Sequence, residues 1–159
     1  MNDGTRLLAH GFVTAAMVGL IWTIQVVHYP LFAKVGVEAF EAYERSHMGR
    51  ITVVVGPLML AEMVLALSLL VWRPSGVPMW MLVVGVVLVL GAWVMTATVQ
   101  GPIHGKMASG GFDAEMHRTL VVSNWARTAM WTARGVLAMW MVKVWAEGLA
   151  GAGRGVVDG

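Results

Sequence analysis

Four apolar segments, each long enough to cross a lipid bilayer, dominate this sequence. A hydrocarbon core about 30 Å thick needs about 20 residues of helix, at a rise of about 1.5 Å per residue. Because lipid offers no hydrogen bonds to the backbone, each segment must satisfy its own amide groups, and a helix does so. The segments span residues 7–27, 51–72, 77–99 and 120–145.

The composition agrees with a chain whose surface is solvated by lipid. Hydrophobic residues make up 58% and charged residues 13% of the 159 positions, whereas about 25% of a soluble domain is charged. We therefore predict an all-α fold, an integral membrane four-helix up-down bundle with the lipid bilayer as its main partner. The sequence has no cysteine, which excludes thiolate metal sites, and no basic run that would favour nucleic acid.

A single membrane domain is predicted for residues 1–146, followed by a flexible tail at 147–159 that is rich in Gly and Ala. The first apolar segment is too long for a signal peptide and lacks a clear cleavage site, so we expect it to be retained as a helix. The turn Arg-Pro-Ser-Gly at 73–76 joins the second and third helices tightly. The predicted helices are 7–29, 46–72, 77–101 and 116–146.

Short similarities between the two halves of the chain suggest two helical hairpins related by a pseudo-two-fold axis. The first helix ends with Thr-Ile-Gln-Val-Val-His at 23–28, and the third ends with Thr-Val-Gln at 98–100, followed by a histidine at 104. Each is followed by a Phe-acid-Ala step, at 40–42 and 112–114. Parallel repeats of this kind are known in membrane folds, and a chance similarity is the alternative.

Four of the five histidines fall at ends of the predicted helices. In an up-down bundle these ends lie on one side of the membrane, and bundles commonly build metal sites from side chains on facing helices. Two acids accompany the histidines at helical spacing, one of them in a Glu-x-x-His pair. The candidate metal ligands are His28, Glu44, His47, His104, Asp113 and His117.

Imidazole and carboxylate groups suit a transition metal such as iron, copper or zinc, and a haem is a further candidate. The pattern does not choose among them. The alternative interpretation is that these histidines are polar residues at the level of the lipid headgroups.

Three charged residues, Glu62, Arg127 and Arg134, lie deep within apolar segments. Intramembrane charges cost about 2.5–3.5 kcal/mol each on insertion scales and usually face the interior of a bundle. From the helical rise, Glu62 lies between the two arginines in depth and can pair with either. The three residues form either a structural ion pair or a catalytic, cationic clamp for an acidic group of a substrate or cofactor.

Four further residues are candidates for cofactor contacts. Asn124 and Trp131 share one face of the fourth helix with the two arginines. Gln25 and Gln100 each lie one turn from a histidine. Each is either a partner that orients an imidazole or an ordinary hydrogen bond between helices.

Four further residues are not assigned to the metal or cofactor site. His10 lies alone in an apolar context and is left out of the site. Tyr29 and Tyr43 are expected to anchor the helices at the membrane interface, and a hydrogen bond to a ligand is the alternative. Pro57 falls inside the second helix and predicts a kink that widens the bundle between the histidines and Glu62.

The run Asn-Trp-Ala-Arg-Thr at 124–128 resembles the Asn-x-x-Arg-Thr signature of small four-helix bacterial membrane proteins of the anthrone-oxygenase-like type. Gln-Gly-Pro at 100–102, with the histidine at 104, resembles the polar end of the third helix in that group. The resemblance covers residues 98–140 and the four-helix plan, and the rich histidine set departs from it. It implies a multi-pass protein of the bacterial cytoplasmic (inner) membrane that oxidises a lipophilic, often aromatic, compound.

These patterns support two functional hypotheses. The first is a membrane oxidoreductase or oxygenase whose metal or haem is held by the histidines and whose substrate is a lipophilic small molecule. The second is a non-enzymatic small transporter, subunit or assembly factor that works through the buried Glu-Arg network. A homo-oligomer is compatible with both. A purely structural bundle is a third interpretation that the sequence leaves open.

Overall fold

The computed structural model describes residues 2–157, which form four long helices joined by short links and contain no β-strand. Each helix is longer than its apolar segment. The helices are α1, Asp3–Phe32; α2, Val37–Val71; α3, Met79–Gly110; and α4, Ala114–Val157.

By length and composition, α1, α2 and α3 are apolar enough to cross a membrane. Within residues 2–157, α4 does not reach the same apolarity, because arginine and asparagine side chains interrupt its apolar run. These polar side chains are buried against the other helices: Asn124, Arg127 and Arg134 are at most 3% exposed. These three polar residues of α4 therefore face the protein interior.

Each helix packs against two others. α1 contacts α2 and α4, and α3 contacts the same two helices. Three apolar clusters follow one another along the helices: one around Leu7 and Met141, one around Met17 and Trp131, and one around Phe32, which also holds buried aromatic rings.

α2 begins well before its apolar segment, and this corrects the predicted position of one histidine. Residues 37–50 form an amphipathic extension in which Phe40, Glu44 and His47 are buried at i, i+4 and i+7. Glu38 is exposed on the opposite face. A search for apolar runs does not detect such an extension, so His47 lies more than two turns inside α2 rather than at its start.

α1 and α3 each contain one π-helical turn, Ile24–His28 and Thr96–Gln100. In both, a proline follows two residues after the turn, at Pro30 and Pro102. Proline lacks the N–H needed for the regular ladder, and a π turn is one way in which a helix accommodates it. The matching positions favour the predicted repeat, which stays a prediction.

The C-terminal tail predicted at 147–159 begins within α4, which continues to Val157. The last two positions of that tail lie outside the described residues.

Candidate metal centre and adjoining cavity

Glu44, His47 and His104 come together at the end of the bundle where α2 carries its extension. One potential ligand atom from each lies within 4.8 Å of the other two. Glu44 is fully buried, and the two histidines are each 8% exposed. Two imidazoles and a carboxylate from two helices thus share one enclosed position.

Each imidazole of this group has a protein partner. An oxygen of Glu44 contacts Nδ1 of His104, and the hydroxyl of Tyr29 lies 3.0 Å from Nε2 of the same ring. Nε2 of His28 lies 2.9 Å from Nδ1 of His47, so one of these two rings donates and the other accepts. Partners of this kind fix the orientation of metal-binding histidines.

Local helix geometry explains the convergence. Glu44 and His47 are three residues apart, so they share one face of α2. A π turn contains one extra residue, which rotates the following residues by about 100° relative to an uninterrupted helix. The π turn of α1 directly precedes Tyr29 and Phe32, and the π turn of α3 ends four residues before His104.

The ring of Phe32 packs against the imidazoles and is fully buried. Its centroid lies 5.1 Å from those of His28 and His47 and 6.1 Å from that of His104. Phe40 packs edge-to-face on Phe32 at 6.1 Å. Phe32 and Phe40 thus form an aromatic layer beside the group.

The donor set fits a transition metal. Ligand atoms around one ion at about 2.0–2.2 Å lie about 3–4 Å apart, so a small side-chain adjustment suffices. Among the described residues, Oε2 of Glu44 and Nε2 of His47 are buried without a hydrogen-bond partner. Buried polar atoms of this kind require a partner such as an ion or a water.

The other predicted ligands lie outside this group of three. His28 contacts it through His47. His117 hydrogen-bonds through Nε2 to the backbone oxygen of Tyr29, at 2.8 Å. Asp113 accepts a hydrogen bond from the backbone N–H of Met116, at 2.7 Å, in the first turn of α4. Asp113 therefore stabilises a helix start, as residues at this position commonly do.

A cavity of about 250 Å³ adjoins the group, and both His47 and His104 line it. It extends along α2 past Gly56 to Met59, beside the predicted kink at Pro57. Apolar atoms form most of the surface of its walls. The polar residues of its lining are Tyr29, His47, Thr52, Trp93, Thr96, Gln100, His104 and Arg127.

His47 also lines a second space, an open groove of about 440 Å³ on the outer side of α1 and α2. Tyr43 and Arg50 line this groove together with His28. The His47 side chain is therefore shared between the outer groove and the inner cavity.

The predicted polar partners on α1, α3 and α4 form hydrogen bonds, two of them between helices and one within α4. The amide of Asn124 donates to Oε1 of Gln25, at 2.8 Å, and Arg127 donates to Oδ1 of Asn124, at 2.9 Å. Gln100 donates to the hydroxyl of Ser123, at 3.1 Å. Of these residues, Gln100 and Arg127 also line the cavity.

Glu62 pairs with Arg134, and both side chains are at most 1% exposed. The Arg134 guanidinium also donates to the backbone oxygen of Gly85 and lies 3.0 Å from Nε2 of His10. Trp131 is fully buried, with its ring 5.6 Å from the guanidinium carbon. This second polar group lies among the core residues of the middle of the bundle.

Two residues make buried contacts that the sequence does not predict. Tyr29 is 4% exposed and contacts His104, so it is not an interface anchor. His10 lies outside the metal group but is 3% exposed and contacts Arg134. The proline two residues after His28 was the available signal for Tyr29, since it predicts a disturbed helix whose side chains change direction.

Comparison of the chain with protein-family models, with curated proteins and with solved structures finds no match in any of the three. The function is therefore inferred from the geometry of the site.

Proposed function

We propose that this chain is a metal-dependent membrane oxidoreductase or oxygenase acting on a lipophilic small molecule. The observation that carries the proposal is the buried convergence of Glu44, His47 and His104 beside a mostly apolar cavity. Bundles place metal sites in this way, between facing helices. An apolar cavity beside a few convergent polar groups is the usual form of a small-molecule site.

The ligand set favours a single transition metal ion, and iron above copper and zinc. Two histidines and one carboxylate with open positions are typical of non-haem iron oxygenases. A haem suits the site less well, because about 250 Å³ is below the ~300–1,000 Å³ of pockets for drug-sized ligands. The bound ion would supply redox or Lewis-acid chemistry next to the cavity.

The remaining side chains have supporting roles. His28 and Tyr29 orient the two imidazoles through their second nitrogens. Phe32 and Phe40 exclude water from the end of the bundle, which strengthens electrostatic interactions inside. The cavity holds the apolar body of the substrate.

The proposal includes the setting of the protein. Three helices that are long and apolar enough to cross a membrane support a membrane setting, in which we propose a four-helix up-down bundle. The resemblance at 124–128 favours the bacterial inner membrane and an oxidised aromatic substrate. A homo-oligomer is compatible with this arrangement.

Metal titration of the full chain in a neutral detergent tests the proposal. After chelator treatment, we expect one equivalent of Fe²⁺, Cu²⁺ or Zn²⁺ to bind, and the variants His47→Ala and His104→Ala to lose at least tenfold in affinity. His117→Ala is the matched control, because His117 lies outside the group. If wild type and His104→Ala bind each metal equally, the proposal is wrong.

A second candidate is a non-enzymatic transporter or assembly subunit that works through the buried pair of Glu62 and Arg134. The supporting observation is that Oε1 of Glu62 and Nδ1 of His10 are buried without partners in the described part of the chain. Intramembrane acids of this kind often relay protons. Proton uptake by reconstituted vesicles that is lost in Glu62→Gln and retained in His104→Ala would favour this candidate over the enzyme.

A further inference from the structure

We infer that the cavity binds a compact, mostly apolar acid whose anionic group pairs with Arg127. The inference deepens the proposed function, on which it rests for the reaction, by naming the chemical class of the substrate. Its binding step can be measured separately from the metal.

Arg127 is a buried cation without a counter-charge. Its side chain is 3% exposed and contacts two neutral groups, the amide oxygen of Asn124, to which it donates a hydrogen bond, and the hydroxyl of Tyr29. No carboxylate of residues 2–151 lies within ion-pair distance of it. A buried charge without a partner strongly destabilises the folded protein. A bound anion would therefore remove a large unfavourable contribution to the free energy of folding.

Arg134, the other arginine within an apolar segment, has a carboxylate partner that balances its charge. Arg134 pairs with Glu62 and also reaches a backbone oxygen and His10. It does not line the cavity, whereas Arg127 does. Of the two arginines, the one without a carboxylate partner among residues 2–151 is thus the one that lines the cavity.

Two buried N–H groups in the cavity lining have no acceptor within the described chain. They are Nε of Arg127 and Nε1 of Trp93. An anionic oxygen accepts hydrogen bonds, and bonds between charged groups are about twice as strong as neutral ones. A carboxylate or phenolate oxygen would supply the missing acceptor, which a hydrocarbon cannot.

The volume and lining set the size and character of the rest of the ligand. A cavity of about 150 Å³ holds a benzene, so about 250 Å³ accommodates about ten non-hydrogen atoms on the same scale. Ile24, Ile51, Val55 and Met59 line the space. An acid with a short apolar body therefore fits, with its anionic group on Arg127.

Matched acids and amides test this assignment. Benzoate, phenylacetate and hexanoate, each beside its neutral amide, are titrated calorimetrically into the chelator-treated full chain in maltoside detergent at pH 7.5. We expect at least one acid to bind tenfold or more tightly than its amide. Arg127→Met should abolish that preference, Arg127→Lys should retain part of it, and Arg118→Met, an exposed position on the same helix, should leave it unchanged.

Equal binding of every acid and its amide would overturn the inference, and so would an acid preference that survives in Arg127→Met. If Arg127→Met does not fold, Arg127→Gln takes its place, because it keeps a polar side chain but removes the charge, and an acid preference that survives in it overturns the inference as well. Metal titration of the same preparations separates the two proposals. Acid binding that persists in His104→Ala supports the cavity assignment, whatever happens to the metal.

Discussion

The buried pair of Glu62 and Arg134 allows a quantitative prediction by a double-mutant cycle. Arg134→Met keeps most of the side-chain volume but removes the guanidinium that contacts Glu62, Gly85 and His10. The fully buried carboxylate of Glu62 then has no counter-charge. Breaking a buried pair by removing one partner costs about 3–5 kcal/mol, so we expect the free energy of unfolding to fall by that amount.

The reciprocal variant and the double variant complete the cycle. Glu62→Leu should lie at the lower end of the same range, because Arg134 keeps its contacts with Gly85 and His10. The double variant, Glu62→Leu with Arg134→Met, should recover most of the loss. Apolar replacement of a buried pair is often neutral or stabilising, so we expect a coupling energy of at least about 2 kcal/mol between the two sites.

The assay is unfolding of the detergent-solubilised chain by increasing denaturing detergent, followed by tryptophan fluorescence. Lys143→Met is the control: its ion pair with Glu147 is exposed, with a separation of 3.8 Å, so its loss should cost less than about 1 kcal/mol. Additive losses, with the double variant as unstable as the sum of the single ones, would refute the idea that the two charges compensate each other.

Three more predictions concern the metal group and the cavity. Tyr29→Phe should lower metal affinity about tenfold in a competition titration, because the hydroxyl that orients His104 is lost; an unchanged affinity would contradict this role. Phe32→Ala should lower the free energy of unfolding by about 3–5 kcal/mol, since the ring is fully buried; a change below 1 kcal/mol would show that the aromatic layer is not packed as described. Arg127→Met should stay within about 1 kcal/mol of wild type, because the loss of an uncompensated charge offsets the Asn124 oxygen left without a donor. A loss above 3 kcal/mol would mean that Arg127 is already paired.

Hydropathy predicted the helical architecture because the apolar segments are local features of the chain. The closeness of Glu44 and His47 was equally predictable, since three residues span less than one helical turn. The amphipathic extension at 37–50 could not be predicted in the same way, because its polar face lowers its mean hydropathy below that of a bilayer-spanning segment. Connections that looked long from the sequence are therefore short in the structure.

The partners of the deep charges could not be assigned from spacing alone. Depth allowed Glu62 to pair with Arg127 or Arg134, and the structure selects Arg134. That choice depends on how α2 and α4 are rotated about their axes, which a helical period does not fix between separate helices. The contact of His10 with Arg134 depends in the same way on the rotation of α1.

The π turns at Ile24–His28 and Thr96–Gln100 make the site sensitive to the number of residues before it. Deleting one residue from the first turn would remove the extra residue that this turn contains. Tyr29 and Phe32 would then swing by about 100° and leave the imidazoles. We therefore expect a chain shortened by one residue to lose the proposed metal site although each candidate ligand is still present, and a conservative substitution within the same turn to keep it.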